Sequence, residues 1–221
     1  PFSQHWPDSG GHGKYRGGCG TAQFWAVHHV PSLYFMAIAD NSTVQTPQPI
    51  FGGYAPPTVP GITLRGTKVS KLLQEIEGGV LDFEGLVSGR YGELETEPFG
   101  RTTRAIEGDE TVTIGLSTGG AGFGDPLERD IASIEQDLAA GLCTQWTAEH
   151  IYKVAWNVEH ERVDFEKSEL MRKEARLLRV SEGIPFAEFE KKWKTRKPPE
   201  EILNIYGTWP DAKPTGPAIR P

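Results

Sequence analysis

Two glycine-rich stretches constrain this chain more than any other feature. The first is Pro7-Asp8-Ser9-Gly10-Gly11-His12-Gly13-Lys14-Tyr15-Arg16-Gly17-Gly18. The second is Gly119-Gly120-Ala121-Gly122-Phe123-Gly124-Asp125-Pro126-Leu127-Glu128-Arg129-Asp130. Clustered glycine is needed where the backbone takes positive φ or lies against another segment with no room for a Cβ. Each stretch also carries charge: Lys14 and Arg16 in the first, Asp125, Glu128, Arg129 and Asp130 in the second. The 26 glycines and 17 prolines exceed ordinary usage and fall mostly in the first 130 residues, so that part is expected to be strand and turn.

Patterning around the second stretch predicts strand, glycine loop, helix. In Glu110–Ser117, Val112, Ile114 and Leu116 alternate onto one face, the pattern of a half-buried strand. After the loop, Asp125 is placed to cap and Pro126 to open a helix over Leu127–Ala140, with Leu127, Ile131, Ile134 and Leu138 on one side. Gly141 ends it. Gln23–Val30 and Leu33–Asp40 are aromatic and β-branched, so they read as strands, with Pro31-Ser32 as a hairpin connection. The proline-rich residues 46–61 read as loop. Arg65–Glu77 has apolar residues at helical spacing and stops at Gly78-Gly79. Val80–Gly100 is turn-rich, and Thr147–Trp156 is helix or mixed.

From about Glu161 the composition changes. Val163, Leu170, Met171, Leu177 and Leu178 form a helical apolar stripe. Pro185 opens a second helix with Phe186, Phe189 and Trp193 on one side, and Pro198-Pro199 breaks it. Pro199–Tyr206 reads as further turns and Trp209–Pro221 as an extended end. The whole is an α+β chain: a strand- and turn-rich domain with glycine loops over residues 1–158, then a helical extension with a proline-rich tail over 159–221.

A chain of 221 residues is long enough to bury a sizeable core. A net charge of −7 argues against nucleic acid as a partner. No apolar run approaches a membrane span. Cys19 and Cys143 are the only cysteines, with no C-x-x-C spacing or disulfide framework, which points to a reducing cytoplasm. Cys19, between two glycines, is either a nucleophile or a small buried thiol, and the second reading is the expected one. His28 and His29 are adjacent in an expected strand and point to opposite faces. His5, His12, His150 and His160 lack a completing ligand pattern, so no metal site is assigned.

The glycine loop has three possible roles. It cradles an anion through its N–H groups, it packs strand against helix as a tight turn, or it lines an active site or subunit interface. It lacks proper G-x-G-x-x-G spacing and no G-K-[ST] follows. Asp125 also places an anion at the helix start. Nucleotide binding is therefore not expected there. Lys14 and Arg16 either hold a carboxylate or phosphate by charge-assisted bonds or are solvated cations on a turn.

In this order and at this separation, the two motifs resemble the C-terminal part of the hydantoinase B/5-oxoprolinase family, which includes the large subunits of acetone and acetophenone carboxylases. The resemblance covers roughly residues 1–155. The tail, with Pro185-Phe186-Ala187-Glu188-Phe189 and Ile205-Tyr206-Gly207-Thr208-Trp209-Pro210, is more similar to the carboxylase branch. Family members are several hundred residues long, and this chain begins at Pro1, so it is read as the C-terminal portion of a longer polypeptide. The resemblance implies a multisubunit, ATP-dependent carboxylase acting on a ketone with bicarbonate. Within the family, the alternatives are ATP-dependent opening of a cyclic amide or a non-catalytic assembly role. It implies ATP and a divalent metal (Mg or Mn) bound outside this chain. The implied partners are the N-terminal portion of the same subunit, a hydantoinase A-like subunit and other carboxylase subunits. No Ser-His-Asp set or G-x-S-x-G elbow is present, so no catalytic residue is assigned. The candidate site-forming residues are Gly10, Gly11, Gly13, Lys14, Arg16, Gly17 and Gly18 in the first motif, and Gly119, Gly120, Gly122, Gly124 and Asp125 in the second.

Overall fold

A computed structural model of the chain describes residues 2–27, 29–38, 45–59, 61–75, 83–97, 101–108, 110–157, 160, 162–197 and 200. The chain divides into two compact units, Pro1–Ala175 and Arg176–Pro221. The first is built on a five-stranded antiparallel sheet of β1 (Phe2–His5), β2 (Thr21–Ala26), β4 (Gly61–Arg65), β5 (Glu93–Glu97) and β7 (Thr111–Leu116), in the order β1-β2-β7-β4-β5. Alternation sends Ala22 and Phe24 of β2 to one face, where they meet Ile62 and Leu64 of β4 and Val112 and Ile114 of β7. The register aligns Phe24, Ile114 and Ile62 in one row, and Ala26, Val112 and Leu64 in the next. Leu72 of α1 (Val69–Glu75), Leu86 of α2 (Phe83–Val87) and Tyr91 close this face. Each such side chain, fully buried, contributes about 1.5–3 kcal/mol.

Strand β7 was expected to be half-buried. It is the central strand, and Thr111 and Thr113 on its second face are buried as well. The expected hairpin across Pro31-Ser32 does not form. Strand β3 (Ser32–Ile38) pairs with β6 (Arg101–Glu107) in a separate two-stranded sheet, while β2 pairs with β1 and β7. His29 takes φ +60 in the connection rather than a place in a strand, and His28 lies outside the described residues.

A second core lies beyond the glycine loop. Asp125 does cap, accepting from Leu127 N at 2.9 Å, but it caps a single 3-10 turn, Pro126–Glu128. The expected continuous helix is broken because Arg129 is extended and Asp130 starts a new one. The Asp130 carboxylate accepts from Ser133 N and begins α3 (Ile131–Ala139), which ends before Gly141 at φ +67. Helix α4 (Gln145–His150), capped by Thr144, and the hairpin of β8 (Ala155–Asn157) with β9 (Arg162–Asp164) complete this layer. Its core is Ile131, Ile134, Cys143, Ala148, Tyr152, Val154 and Val163.

Val163 was expected in a helical stripe; it belongs to β9 and packs inward. Helix α5 (Phe165–Glu182) follows. Its buried residues are polar. Ser168 Oγ accepts from Ala155 N at 2.9 Å and donates to Asp164 O, and Arg172 Nε donates to Tyr152 O at 3.1 Å. Of the remaining residues of the expected apolar stripe, Leu170, Leu177 and Leu178 are exposed and Met171 is half-buried.

The second unit contains α6 (Phe186–Lys194), with Pro185 at its N-cap. Phe186, Phe189 and Trp193 run along one face, with Phe189 and Trp193 stacked at 5.9 Å and 20°. All three are exposed. Lys192–Glu188 and Lys194–Glu190 form pairs one turn apart, both at 2.9 Å. The expected break at Pro198-Pro199, the turns to Tyr206 and the extended end, like Gly78-Gly79, lie outside the described residues, except for Glu200.

Candidate functional site

The two glycine motifs come together, and a third segment joins them. Residues 9–20, 50–54 and 119–124 interlace through backbone hydrogen bonds. Gly119, Gly120, Gly122, Phe123 and Gly124 donate in turn to the carbonyls of Ser9, Gly18, Tyr54, Tyr15 and Ile50, at 2.9–3.0 Å. In return, Gly11 donates to Gly120 O, Tyr15 to Phe123 O and Lys14 to Gly124 O. Tyr54 N donates to His12 O at 2.7 Å, tying the first and third segments. The approach is too close for side chains. A Cβ on Gly122 would overlap the carbonyl of His12, and one on Gly17 would overlap the carbonyl of Gly120. Gly18, by contrast, faces open space. Five amides of the second motif are thus committed to carbonyls of this chain, whereas a phosphate cradle would need them to point at a ligand.

The charged residues of the motifs sit around this clamp. Arg16 forms a fork on Asp137 of α3, with Nε to Oδ2 at 2.7 Å and Nη2 to Oδ1 at 2.8 Å. Arg129 adds Nη2 to Asp137 Oδ2 at 2.8 Å. Burial opposes the Asp137 charge, but the Arg16 bonds and the two nearby guanidiniums hold its carboxyl below the usual range. The same Asp137 bond pushes Arg16 further up. Lys14 Nζ lies 3.2 Å from Glu128 Oε2, with both side chains about half exposed. Asp125 turns its carboxylate onto the following 3-10 turn.

Behind the clamp, His12 Nδ1 and Tyr152 Oη are 3.2 Å apart, and the Arg129 guanidinium lies 5.9 Å from the Tyr152 ring. Burial lowers the His12 pKa; Asp8 opposes this and Arg129 reinforces it. Burial raises that of Tyr152. Asp8 accepts from Thr144 N at 3.0 Å and from Thr144 Oγ1 at 2.6 Å, fastening the first motif to α4. Asp8, His12, Arg16, Cys19, Cys143 and Tyr152 line a cavity of about 10 Å³, room for about one water. The Cys143 thiol is pushed up to about 12, first by burial and then by Asp8 and Asp137, so it stays protonated at neutral pH. Cys19 Sγ lies 3.8 Å from Leu142 O. The arrangement can hold strands and charges in place. The clamp amides are already bonded, and the cavity is too small for a nucleotide. Among the described residues, no group of three or more His, Cys, Asp or Glu is placed to share a metal. The clamp and this small cavity therefore offer no seat for ATP.

Sequence reasoning missed Asp137, Tyr152 and the 50–54 segment. Asp137 carries a weak signal, an acid beside the apolar residues Ile134 and Leu138 of α3. For 50–54 the signal is the Gly52-Gly53 pair inside the proline-rich loop.

No protein-family model matches the chain. It is 50% identical, over its whole length, to the acetophenone carboxylase delta subunit of Aromatoleum aromaticum, and spans 33% of that subunit. It is 26% identical to the acetone carboxylase alpha subunit of Xanthobacter autotrophicus, over 83% of this chain and 25% of that one. Among solved structures it is similar in fold to a nucleotide-free acetone carboxylase, with a TM-score of 0.71 and 21% identity, covering 92% of this chain and 27% of that one. A second similar fold is the ATP-dependent caprolactamase from Pseudomonas jessenii, with a TM-score of 0.54 and 20% identity, covering 77% of this chain and 25% of that one. The chain therefore spans about a third or less of the relatives it matches. It is a homologue of acetophenone and acetone carboxylase subunits and aligns with part of each.

Proposed function

We propose that this chain is part of a multisubunit ATP-dependent carboxylase acting on a ketone of the acetone or acetophenone type with bicarbonate. The observation that carries this reading is the 50% identity to an acetophenone carboxylase subunit, which runs through the whole chain rather than one motif. ATP and the divalent metal are held elsewhere in the complex, by the remainder of the subunit or by a hydantoinase A-like partner. This segment supplies architecture. The clamp joins the sheet core to the α3–α4 layer, and the Arg16–Asp137–Arg129 cluster keeps that joint charged and ordered. The exposed aromatic face of α6 serves subunit association, because large apolar patches on a surface mark contact sites. The test is carboxylation by the assembled complex. Labelled bicarbonate should enter a β-keto acid only with ATP and ketone together, and the chain alone should turn over no ATP. Failure of label to enter any product from acetone or acetophenone would remove the carboxylase reading.

A second reading, opening of a cyclic amide, is favoured by the fold shared with a caprolactamase. It requires ATP-dependent release of a linear amino acid from a lactam with no label incorporated.

A further inference from the structure

At the outer side of the clamp, the three segments present aromatic residues to solvent. Phe51 is 76% exposed, Tyr15 63% and Phe123 44%. The rings form one cluster, with Phe123 edge-on to Phe51 at 5.3 Å and tilted against Tyr15 at 6.1 Å. The backbone below them is fixed. Tyr15 and Phe123 exchange N–H···O bonds at 3.0 and 2.9 Å, and exposed Ile50 bridges to Phe123 from the other side. Phe51 also holds φ +54, a left-handed conformation disfavoured for a bulky side chain. Such a conformation persists where the surroundings over-determine it, and it concentrates at functional positions.

Rigid, clustered and exposed aromatics are what the centre of a protein interface is made of. We propose that Tyr15, Ile50, Phe51 and Phe123 form the seat on which the rest of the same polypeptide packs in a complete subunit. This rests on the reading of the chain as part of a longer carboxylase subunit. The occupant follows from length and charge. The 50%-identical relative matches this chain with only 33% of its own length, so a subunit of that size has about two-thirds of its polypeptide left to pack. The charges beside the cluster, Lys14 and Glu128, neutralise each other at 3.2 Å. The cluster's own exposed side chains are aromatic or aliphatic, which is the character of a permanent interface.

The experiment places p-benzoyl-phenylalanine at position 51 of the complete subunit in its assembled complex, followed by irradiation and peptide mapping. Cross-links to peptides of the same polypeptide outside these 221 residues are expected. Cross-links to another subunit, to a second copy or to nothing would overturn the proposal. Two substitutions give an independent readout. Phe51→Ser should lower the thermal midpoint of the complete subunit by several degrees, and Phe51→Tyr should restore it. An unchanged midpoint with Phe51→Ser rejects the interface. Ketone carboxylation measured on the same preparation keeps the two ideas apart. An active complex with the wrong cross-link loses only the interface. The expected cross-link in a complex that carboxylates no ketone loses only the carboxylase reading.

Discussion

The glycine clamp and helix α6 dispose of their polar and apolar groups in opposite ways. In the clamp, backbone meets backbone across three segments, and side chains are reduced to hydrogen so that the amides can pair. In α6 the helix satisfies its own backbone, Glu188, Glu190, Lys192 and Lys194 pair along the surface, and the three aromatic residues on one face are exposed. The clamp's backbone bonds are thus met within this chain, whereas α6 leaves an aromatic face uncovered. Glycine density marks where a chain closes on itself, and an aromatic stripe on a short charged helix marks where it meets another surface.

The largest expected effect would break the clamp side of this contrast. Gly122→Val puts a branched side chain into the His12 carbonyl. It should cost upwards of ~3 kcal/mol in denaturant unfolding of the complete subunit, since backbone strain and overpacking add. Gly18→Ala, in open space, should stay within about 0.5 kcal/mol. Equal effects at the two positions would mean that the interlaced geometry is not what the glycines serve.

Next in size is Asp137→Ala. It leaves the guanidiniums of Arg16 and Arg129 facing each other in a largely buried setting, with an expected cost of about 3–5 kcal/mol. A loss below about 1 kcal/mol would show that the charge cluster does not hold the two layers together.

These two positions also show what was legible in the sequence. The motif glycines announced a special backbone, and the alternation of Val112, Ile114 and Leu116 announced a strand, because both signals are local. Asp137 was not legible, because its partner Arg16 is 121 residues away and a lone acid in a helix looks solvated. The failed hairpin has the same cause. Gln23–Ala26 and Ser32–Ile38 are good strands, but the first pairs with β1 and β7 and the second with β6, not with each other. Asp125 was rightly placed as a cap, yet the helix it starts lasts one turn because Asp130 competes as a second cap.

A smaller effect concerns pH. His12 is held below its ordinary value of 6.5. Between its folded and unfolded pKa values the unfolded chain therefore binds more protons. The stability it contributes is full above about pH 6.5 and is lost as pH falls through the folded value. Thermal midpoints from pH 7.5 to 5 should decline less steeply for His12→Gln than for the native sequence. Parallel slopes would remove His12 from the acid response.

The smallest effect should come from the exposed Lys14–Glu128 pair. Lys14→Gln is expected to cost about 0.2–1 kcal/mol, in line with surface ion pairs. A large loss of carboxylase turnover in that variant, with stability intact, would instead give Lys14 a role in the site.

Hydrogen exchange across residues 119–124 in the assembled complex, with and without ATP, tests the central claim most directly. The amides of Gly119, Gly120, Gly122, Phe123 and Gly124 are bonded to carbonyls of this chain, so they should exchange among the slowest of the subunit and at the same rate in both states. Fast exchange without ATP, slowed when ATP is added, would show that the loop closes on a ligand rather than on its own chain.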